Sequence, residues 1–179
     1  MEVRLNEAMK EAFRLANEAL EAAEVPIGCV VIDKNDGTVH AAGRNRTNEG
    51  RDATRHAEME ALQELRLKGL LNKTNDMILL VTVEPCIMCI SALRQAGITT
   101  VYTAAMNEKF GGCGSVASAH QEMMPEYVPK AEVRVLKAWR KDSVLLLRKF
   151  YVRENERAPC PRRKANRILK HDITTDEEE

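Results

Sequence analysis

A chain of 179 residues, 44% of them hydrophobic and 30% charged, has the composition of a soluble globular protein, and its length suits one domain with a short extension. No apolar run approaches the ~20 residues of a membrane span, and a core of roughly 150 residues buries about 70% of its unfolded surface without help from disulfides. The 27 basic and 27 acidic residues cancel to a formal net charge of zero, which argues against a nucleic-acid partner until the uneven spread of those charges is considered.

The first segment, residues 3–23, places Leu5, Met9, Ala12, Phe13, Ala16 and Leu20 at helical core spacing. It is amphipathic and charged, unlike a signal peptide. Pro26 to Ile32 is an apolar run, and Asp36-Gly37 is a hairpin signal ahead of a second strand from Thr38 to Ala42. A Gly- and Asn-rich loop, 43–50, precedes a helix from Arg55 to Leu67, with Ala57, Ala61, Leu62 and Leu65 in register and Asp52 or Thr54 as its cap. Met77 to Val83 reads as a buried strand, followed by a helix with Pro85 in its first turn and Gly97 at its stop. A short strand over Thr99 to Ala104, a flexible Gly-rich loop at 107–115 and a short helix over Ala117 to Met124 come next. A strand from Glu132 to Leu136 and a helix from Ser143 to Arg153 close the domain. This order predicts an α/β fold in three layers, α/β/α, with a mixed sheet of about five strands flanked by helices.

The composition shifts near residue 153, dividing a domain (1–153) from an extension (154–179). From Arg148 onward, Arg148, Lys149, Arg153, Arg157, Arg162, Arg163, Lys164, Arg167 and Lys170 face only Glu154 and Glu156, and the chain ends in an acidic run from Asp172 to Glu179. A basic run is commonly a solvated helix end, but one this dense, broken by Pro159 and Pro161, suits phosphate contact. Arg157, Arg162, Arg163, Lys164, Arg167 and Lys170 are therefore the candidate RNA-binding residues. The acidic end has the composition of a disordered segment.

Two short motifs carry chemistry: His56-Ala57-Glu58 and Pro85-Cys86-Ile87-Met88-Cys89. Zinc prefers Cys sulfur and His nitrogen, and a catalytic site uses three protein ligands with one open position. His56, Cys86 and Cys89 supply three such ligands, and their two thiolates cancel the charge of Zn²⁺. Glu58 is left free to move protons to and from a zinc-activated water. Mid-helix, residues two apart point in different directions. At the N-terminus of a helix both His56 and Glu58 can address one point beyond its end, because helical side chains lean that way. Cys86 and Cys89, three apart in the first turn of the next helix, gain from the positive helix end, which favours thiolates. A lone C-x-x-C also suits a redox pair or half of a structural zinc site. Cys29, Cys113 and Cys160 supply no second C-x-x-C, however, and a redox pair leaves His56 and Glu58 unexplained. Cysteines used as ligands fit a reducing intracellular compartment, nucleus and/or cytoplasm.

H-x-E followed by P-C-x-x-C is the signature of the zinc nucleobase deaminases, and over residues 5 to 153 the chain resembles the cytidine deaminase-like superfamily. More narrowly it is similar to the tRNA-specific adenosine deaminases. The matching residues are Glu24-Val-Pro-Ile-Gly28, Gly43-Arg-Asn-Arg46, His56-Ala-Glu58, Thr82-Val-Glu-Pro-Cys86 with Cys89, and Gly111-Gly-Cys-Gly-Ser115. The resemblance implies a zinc hydrolase that converts adenosine to inosine at the wobble position of tRNA anticodons. It also implies a heterodimer in which this chain, retaining Glu58, is catalytic and pairs with a paralogue lacking that glutamate; a homodimer is the variant. It further implies that Asn45 contacts the sugar or base of the flipped nucleoside, that Ile27 packs on the base and that the backbone of Ala57 helps recognise it. Tyr102 falls where an aromatic touches anticodon-loop nucleotides, or is an ordinary sheet aromatic. The alternatives are a deaminase of free cytosine or guanine bases or nucleotides, which has no use for the basic extension, and a non-catalytic RNA-binding subunit with structural zinc, which has no use for Glu58. An RNA loop suits the chemistry, since its unstacked bases enter a pocket without breaking a duplex.

Overall fold

Apolar residues recurring every three to four positions make Glu2–Glu21 the first helix, α1, which buries Leu5, Met9, Ala12, Phe13, Ala16 and Leu20 along one stripe. The computed structural model describes residues 2–122, 125–155 and 167–173. After α1 the chain forms β1 (Gly28–Asp33), β2 (Val39–Arg44), a one-turn helix α2 (Thr47–Gly50) and α3 (Ala57–Leu67). A 3₁₀ turn (Leu71–Asp76), β3 (Met77–Val81), α4 (Ile87–Gln95) and β4 (Thr100–Thr103) follow. The last elements are β5 (Glu132–Val135), a 3₁₀ turn (Lys137–Trp139) and α5 (Arg140–Val152).

The strands form one sheet in the order β2-β1-β3-β4-β5. β1 is antiparallel to both β2 and β3, whereas β3-β4 and β4-β5 are parallel. Every residue of β3 is buried, as expected of a central strand covered on both faces, which reads as a continuous apolar run. Side-chain alternation then divides the core. Cys29, Val31, Leu79, Val81 and Val101 pack with α3 and α4 through Ala61, Leu65, Ile90 and Leu93. Val30, Ile32, Ile78, Leu80 and Tyr102 pack with α1 and with Leu146 of α5. The molecule is thus the three-layer α/β/α structure with a five-stranded mixed sheet that the element order predicts. No helix among the described residues is long and apolar enough to cross a membrane.

Gly43 on β2 is needed for the close approach of α3, because a Cβ there would lie 2.1 Å from the Ala57 carbonyl oxygen. Gly97 (φ 89°) ends α4 as anticipated. Its N–H bonds the Arg94 carbonyl at 3.0 Å and the Ile98 N–H bonds that of Leu93 at 2.9 Å, the paired bonds of a Schellman stop.

Four boundaries depart from expectation. Helix α3 is not capped by Asp52 or Thr54: Asp52 Oδ1 instead accepts from the Thr54 N–H (2.8 Å) and hydroxyl (2.7 Å) in a local turn, and His56 holds the N-cap position. Pro85 lies outside α4, one residue before its N-cap, Cys86. α5 begins at Arg140, continuing directly from the preceding 3₁₀ turn rather than at Ser143. Lastly, 117–122 forms turns rather than the start of a helix over 117–124. The reason is Arg94, buried on α4. Its guanidinium donates to the carbonyls of Ala119, Glu122 (2.8 Å), Val128 (3.2 Å) and Pro129 (2.7 Å). The carbonyls of Ala119 and Glu122, together with those of Val128 and Pro129, are turned toward this one side chain.

Candidate active site

The N-termini of α3 and α4 meet beyond the carboxyl end of β3, the usual position for a site in a sheet with parallel strands. His56 is the N-cap of α3 and Cys86 the N-cap of α4, both with extended backbone, and Cys89 lies one turn into α4. His56 Nδ1 is 3.6 Å from Cys86 Sγ and 3.5 Å from Cys89 Sγ, and the three ligand atoms all lie within 4.8 Å of one another. A tetrahedral zinc with its nitrogen at ~2.05 Å and its sulfur at ~2.3 Å requires an N···S separation of about 3.6 Å. The donor set and its spacing therefore fit zinc. No other group of three or more such side chains among the described residues is arranged to hold a metal.

The electrostatics follow from crowding. The hydrogen bond from Cys89 is the main reason the Cys86 thiol falls to about 4, with help from His56; that same bond, together with burial, pushes the Cys89 thiol up. His56 is raised, chiefly by its bond to Cys86. A metal held here would take both sulfurs as thiolates.

Glu58, the second residue of α3, is only 3% exposed. Burial pushes its carboxyl up to about 7, and the Cys86 charge adds to the shift while His56 opposes it. Such a group both accepts and returns a proton near neutral pH, as a general acid–base requires. His56 and Glu58, two apart in sequence, belong to one site because both sit in the first turn of a helix.

Asn45, Ile27 and Ala57 form a linked set on the same side. Asn45 Oδ1 accepts from the Ala57 N–H at 2.9 Å, and the Asn45 N–H donates to the Ile27 carbonyl at 3.1 Å. With its oxygen engaged, Asn45 keeps its amide Nδ2 as the side-chain donor. Ile27 packs against the core layer that α3 and α4 share.

Tyr102 does not join them. The register Leu80↔Tyr102 puts it in the α1/α5 layer, 8% exposed, with Arg134 5.9 Å from its ring centroid and bonded to its hydroxyl at 3.3 Å. This packing is that of a sheet aromatic. Arg157, Arg162, Arg163 and Lys164 lie outside the described residues. Arg167 and Lys170 belong to 167–173, which lies along α5: Arg167 donates to the Tyr151 carbonyl (3.2 Å), and Arg148 donates to the carbonyls of Lys170 (2.7 Å) and Asp172 (2.8 Å).

Two buried acids, Glu24 and Glu84, lie in motifs that carry the resemblance but had no role assigned to them. Glu24, fully buried after α1, accepts from the Glu49 N–H (2.7 Å), the Thr47 hydroxyl (3.0 Å) and Asn48 Nδ2 (3.2 Å), holding the segment that follows Asn45. Glu84, two residues before Cys86, holds the loop 107–115 in the same manner. The available signal was a carboxylate set among apolar residues, in Glu24-Val-Pro-Ile and Thr-Val-Glu84-Pro.

Fold, donor set and buried glutamate together define a zinc-dependent deaminase, and residues 3–105 match the family model of the cytidine and deoxycytidylate deaminase zinc-binding region; the chain belongs to that family. Within it, the chain is 40% identical over 171 residues to tRNA-specific adenosine deaminase 2 of Danio rerio, covering 92% of this chain and 78% of that protein. It is 39% identical over 158 residues to the protein of the same name from Xenopus tropicalis, covering 84% of this chain and 91% of that one. A chain solved in a study of A-to-I editing by tRNA:A34 deaminases at the wobble position superposes with a TM-score of 0.64 at 33% identity, covering 73% of this chain and 97% of the other. The guanine deaminase of Nitrosomonas europaea shares the fold, with a TM-score of 0.66 at 23% identity.

Proposed function

We propose that this chain catalyses the zinc-dependent hydrolytic deamination of adenosine to inosine in tRNA, at the wobble position of the anticodon, as the catalytic subunit of a heterodimer. The observation that carries this reading is the buried Glu58 beside a zinc-spaced His56, Cys86 and Cys89, in a chain whose relatives are named tRNA-specific adenosine deaminase 2. A partner lacking the glutamate would supply surface rather than chemistry.

His56, Cys86 and Cys89 would hold zinc, which would supply Lewis acidity and lower the pKa of a nearby water toward ~7. Glu58 takes a proton from the attacking water and delivers it to the purine ring nitrogen. It then carries the second proton to the departing amine, so adenosine and water give inosine and ammonia. Asn45 Nδ2 donates to the sugar or base, Ile27 packs on the base and the Ala57 backbone contributes to its recognition. Arg157, Arg162, Arg163, Lys164, Arg167 and Lys170 contact phosphates of the tRNA body. The four described cysteines form no disulfide, in keeping with an intracellular setting, nucleus and/or cytoplasm.

The test is purification of the chain alone and with a glutamate-lacking paralogue, followed by measurement of inosine in tRNA transcripts. Inosine at the first anticodon position with the pair supports the proposal. Deamination of free bases or nucleosides but not of tRNA overturns it.

A further inference from the structure

Glu84 is 2% exposed and takes no part in the chemistry described above. Each carboxylate oxygen accepts twice. Oε1 takes the N–H groups of Cys113 (2.8 Å) and Ser115 (3.3 Å), and Oε2 takes the Asn107 N–H (2.7 Å) and the Ser115 hydroxyl. All four donors come from the single loop 107–115, and no basic side chain among the described residues forms an ion pair with Glu84.

The same loop is fastened to the turn that carries Cys86. Gly111 forms an antiparallel bridge with Cys86, the Ile87 N–H donates to the Phe110 carbonyl at 3.2 Å, and the Gly112 N–H donates to the Pro85 carbonyl at 2.9 Å. The approach leaves no slack: a Cβ on Gly111 would sit 2.4 Å from Glu84 Oε2, and one on Gly112 would sit 2.8 Å from the Ile87 Cα. The loop also reaches the site. Burial is the main cause that raises the Cys113 thiol, and the charges of Glu84, Glu58 and Cys86 add to it. A glycine-rich segment is costly to order, so a fixed cluster of acceptors beside a metal ligand has a definite task.

We infer that Glu84 is a positioning residue that couples the zinc-ligating turn to the 107–115 loop. Fixing Cys86 on zinc fixes the backbone of 84–87, and with it the four acceptor directions that order the loop. By linkage the effect runs both ways: a loop seated on Glu84 tightens the metal site by the same factor. The coupling concerns only residues of this chain and does not depend on which nucleic acid is the substrate.

The experiment is amide hydrogen exchange on the full chain, with zinc bound and after its removal by chelation. The expected result is exchange at Asn107, Cys113 and Ser115 about 5- to 150-fold slower with zinc, the range of a typical coupling. Glu84→Gln keeps the shape but sets an amide N–H₂ against N–H and hydroxyl donors. In that variant the loop amides should exchange fast with or without zinc, while those of β3 stay protected. Zinc affinity, read by competition with a chromophoric chelator, should fall by the same factor. Ser115→Ala deletes one donor and should show both effects in smaller measure; it decides the matter if Glu84→Gln does not fold. Equal loop protection with and without zinc in the unmutated chain overturns the inference, as does unchanged zinc affinity in both variants. Neither readout involves RNA, so this failure is distinct from failure of the proposed activity.

Discussion

Replacing Glu58 by glutamine separates proton transfer from every other property of the site. The side chain keeps its length and volume, so the packing around a residue that is 3% exposed is unchanged. The residues spaced to hold zinc are His56, Cys86 and Cys89, and Glu58 is not among them, so zinc content should stay at that of the parent. Burying an amide in place of a carboxyl that burial disfavours in its charged form removes a desolvation cost, so the melting temperature should not fall. What is lost is a group that accepts and returns a proton near neutral pH. Positioned acid–base groups contribute about 10²- to 10⁴-fold, equivalent to roughly 2.7–5.4 kcal/mol of barrier at 1.36 kcal/mol per decade. In the proposed mechanism a single carboxyl serves both protonation events, which places the expected loss of kcat toward the upper end of that range. The assay is single-turnover inosine formation on tRNA with the partner subunit present, alongside metal analysis and a thermal melt. A variant that loses zinc would show that Glu58 maintains the metal site. A variant that keeps zinc and more than about a tenth of the parent kcat would refute the assignment of Glu58 as the proton carrier, because that loss is below the acid–base range.

Other perturbations test neighbouring parts of the structure. Cys89→Ala removes one of three donors and should leave the dialysed protein nearly free of zinc, measured by elemental analysis; full occupancy would mean the ligand set is wrong. Glu24→Gln sets an amide against the donors that fix 47–49. It should raise KM for tRNA more than it lowers kcat, with zinc retained; an unchanged KM would free Glu24 of any influence on Asn45. Arg94→Met leaves four loop carbonyls without their donor, and at about 1–3 kcal/mol for an unsatisfied buried group chemical denaturation should show a loss of at least about 3 kcal/mol. Deleting residues 157–170 should weaken tRNA binding and flatten its dependence on salt, because each lost phosphate contact removes about 0.7–0.9 from the log–log slope; an unchanged slope would make the extension a bystander.

What could be read from the sequence, and what could not, divides along a physical line. His56, Cys86 and Cys89 were legible because a metal selects residue types, and because a ligand at a helix N-terminus has a local signature in the residues around it. The sheet was legible for a similar reason: buried strands such as Met77–Val81 are continuous apolar runs, and only their alternation had to be assigned to faces. That assignment is where Tyr102 was ambiguous. A four-residue strand fixes its parity through its neighbours, and pairing with Leu80 turns the ring into the α1/α5 layer. The roles of Glu24, Glu84 and Arg94 were silent although the first two lie in the matching motifs. All four Arg94 partners and three of the four Glu84 partners are main-chain groups, which every residue carries, and the Glu24 partners lie more than 20 residues away. Residues 117–122 form turns for a similar reason, since nothing in them announces that Arg94 on another helix will take the carbonyls of Ala119 and Glu122. The catalytic groups thus stand on regular elements that sequence encodes locally. The segments beside them, 45–50 and 107–115, are held by buried carboxylates that act only once the fold has brought distant backbone to them. A substitution at Glu24 or Glu84 is therefore expected to alter how substrate and metal are held, while Glu58, His56, Cys86 and Cys89 remain in place.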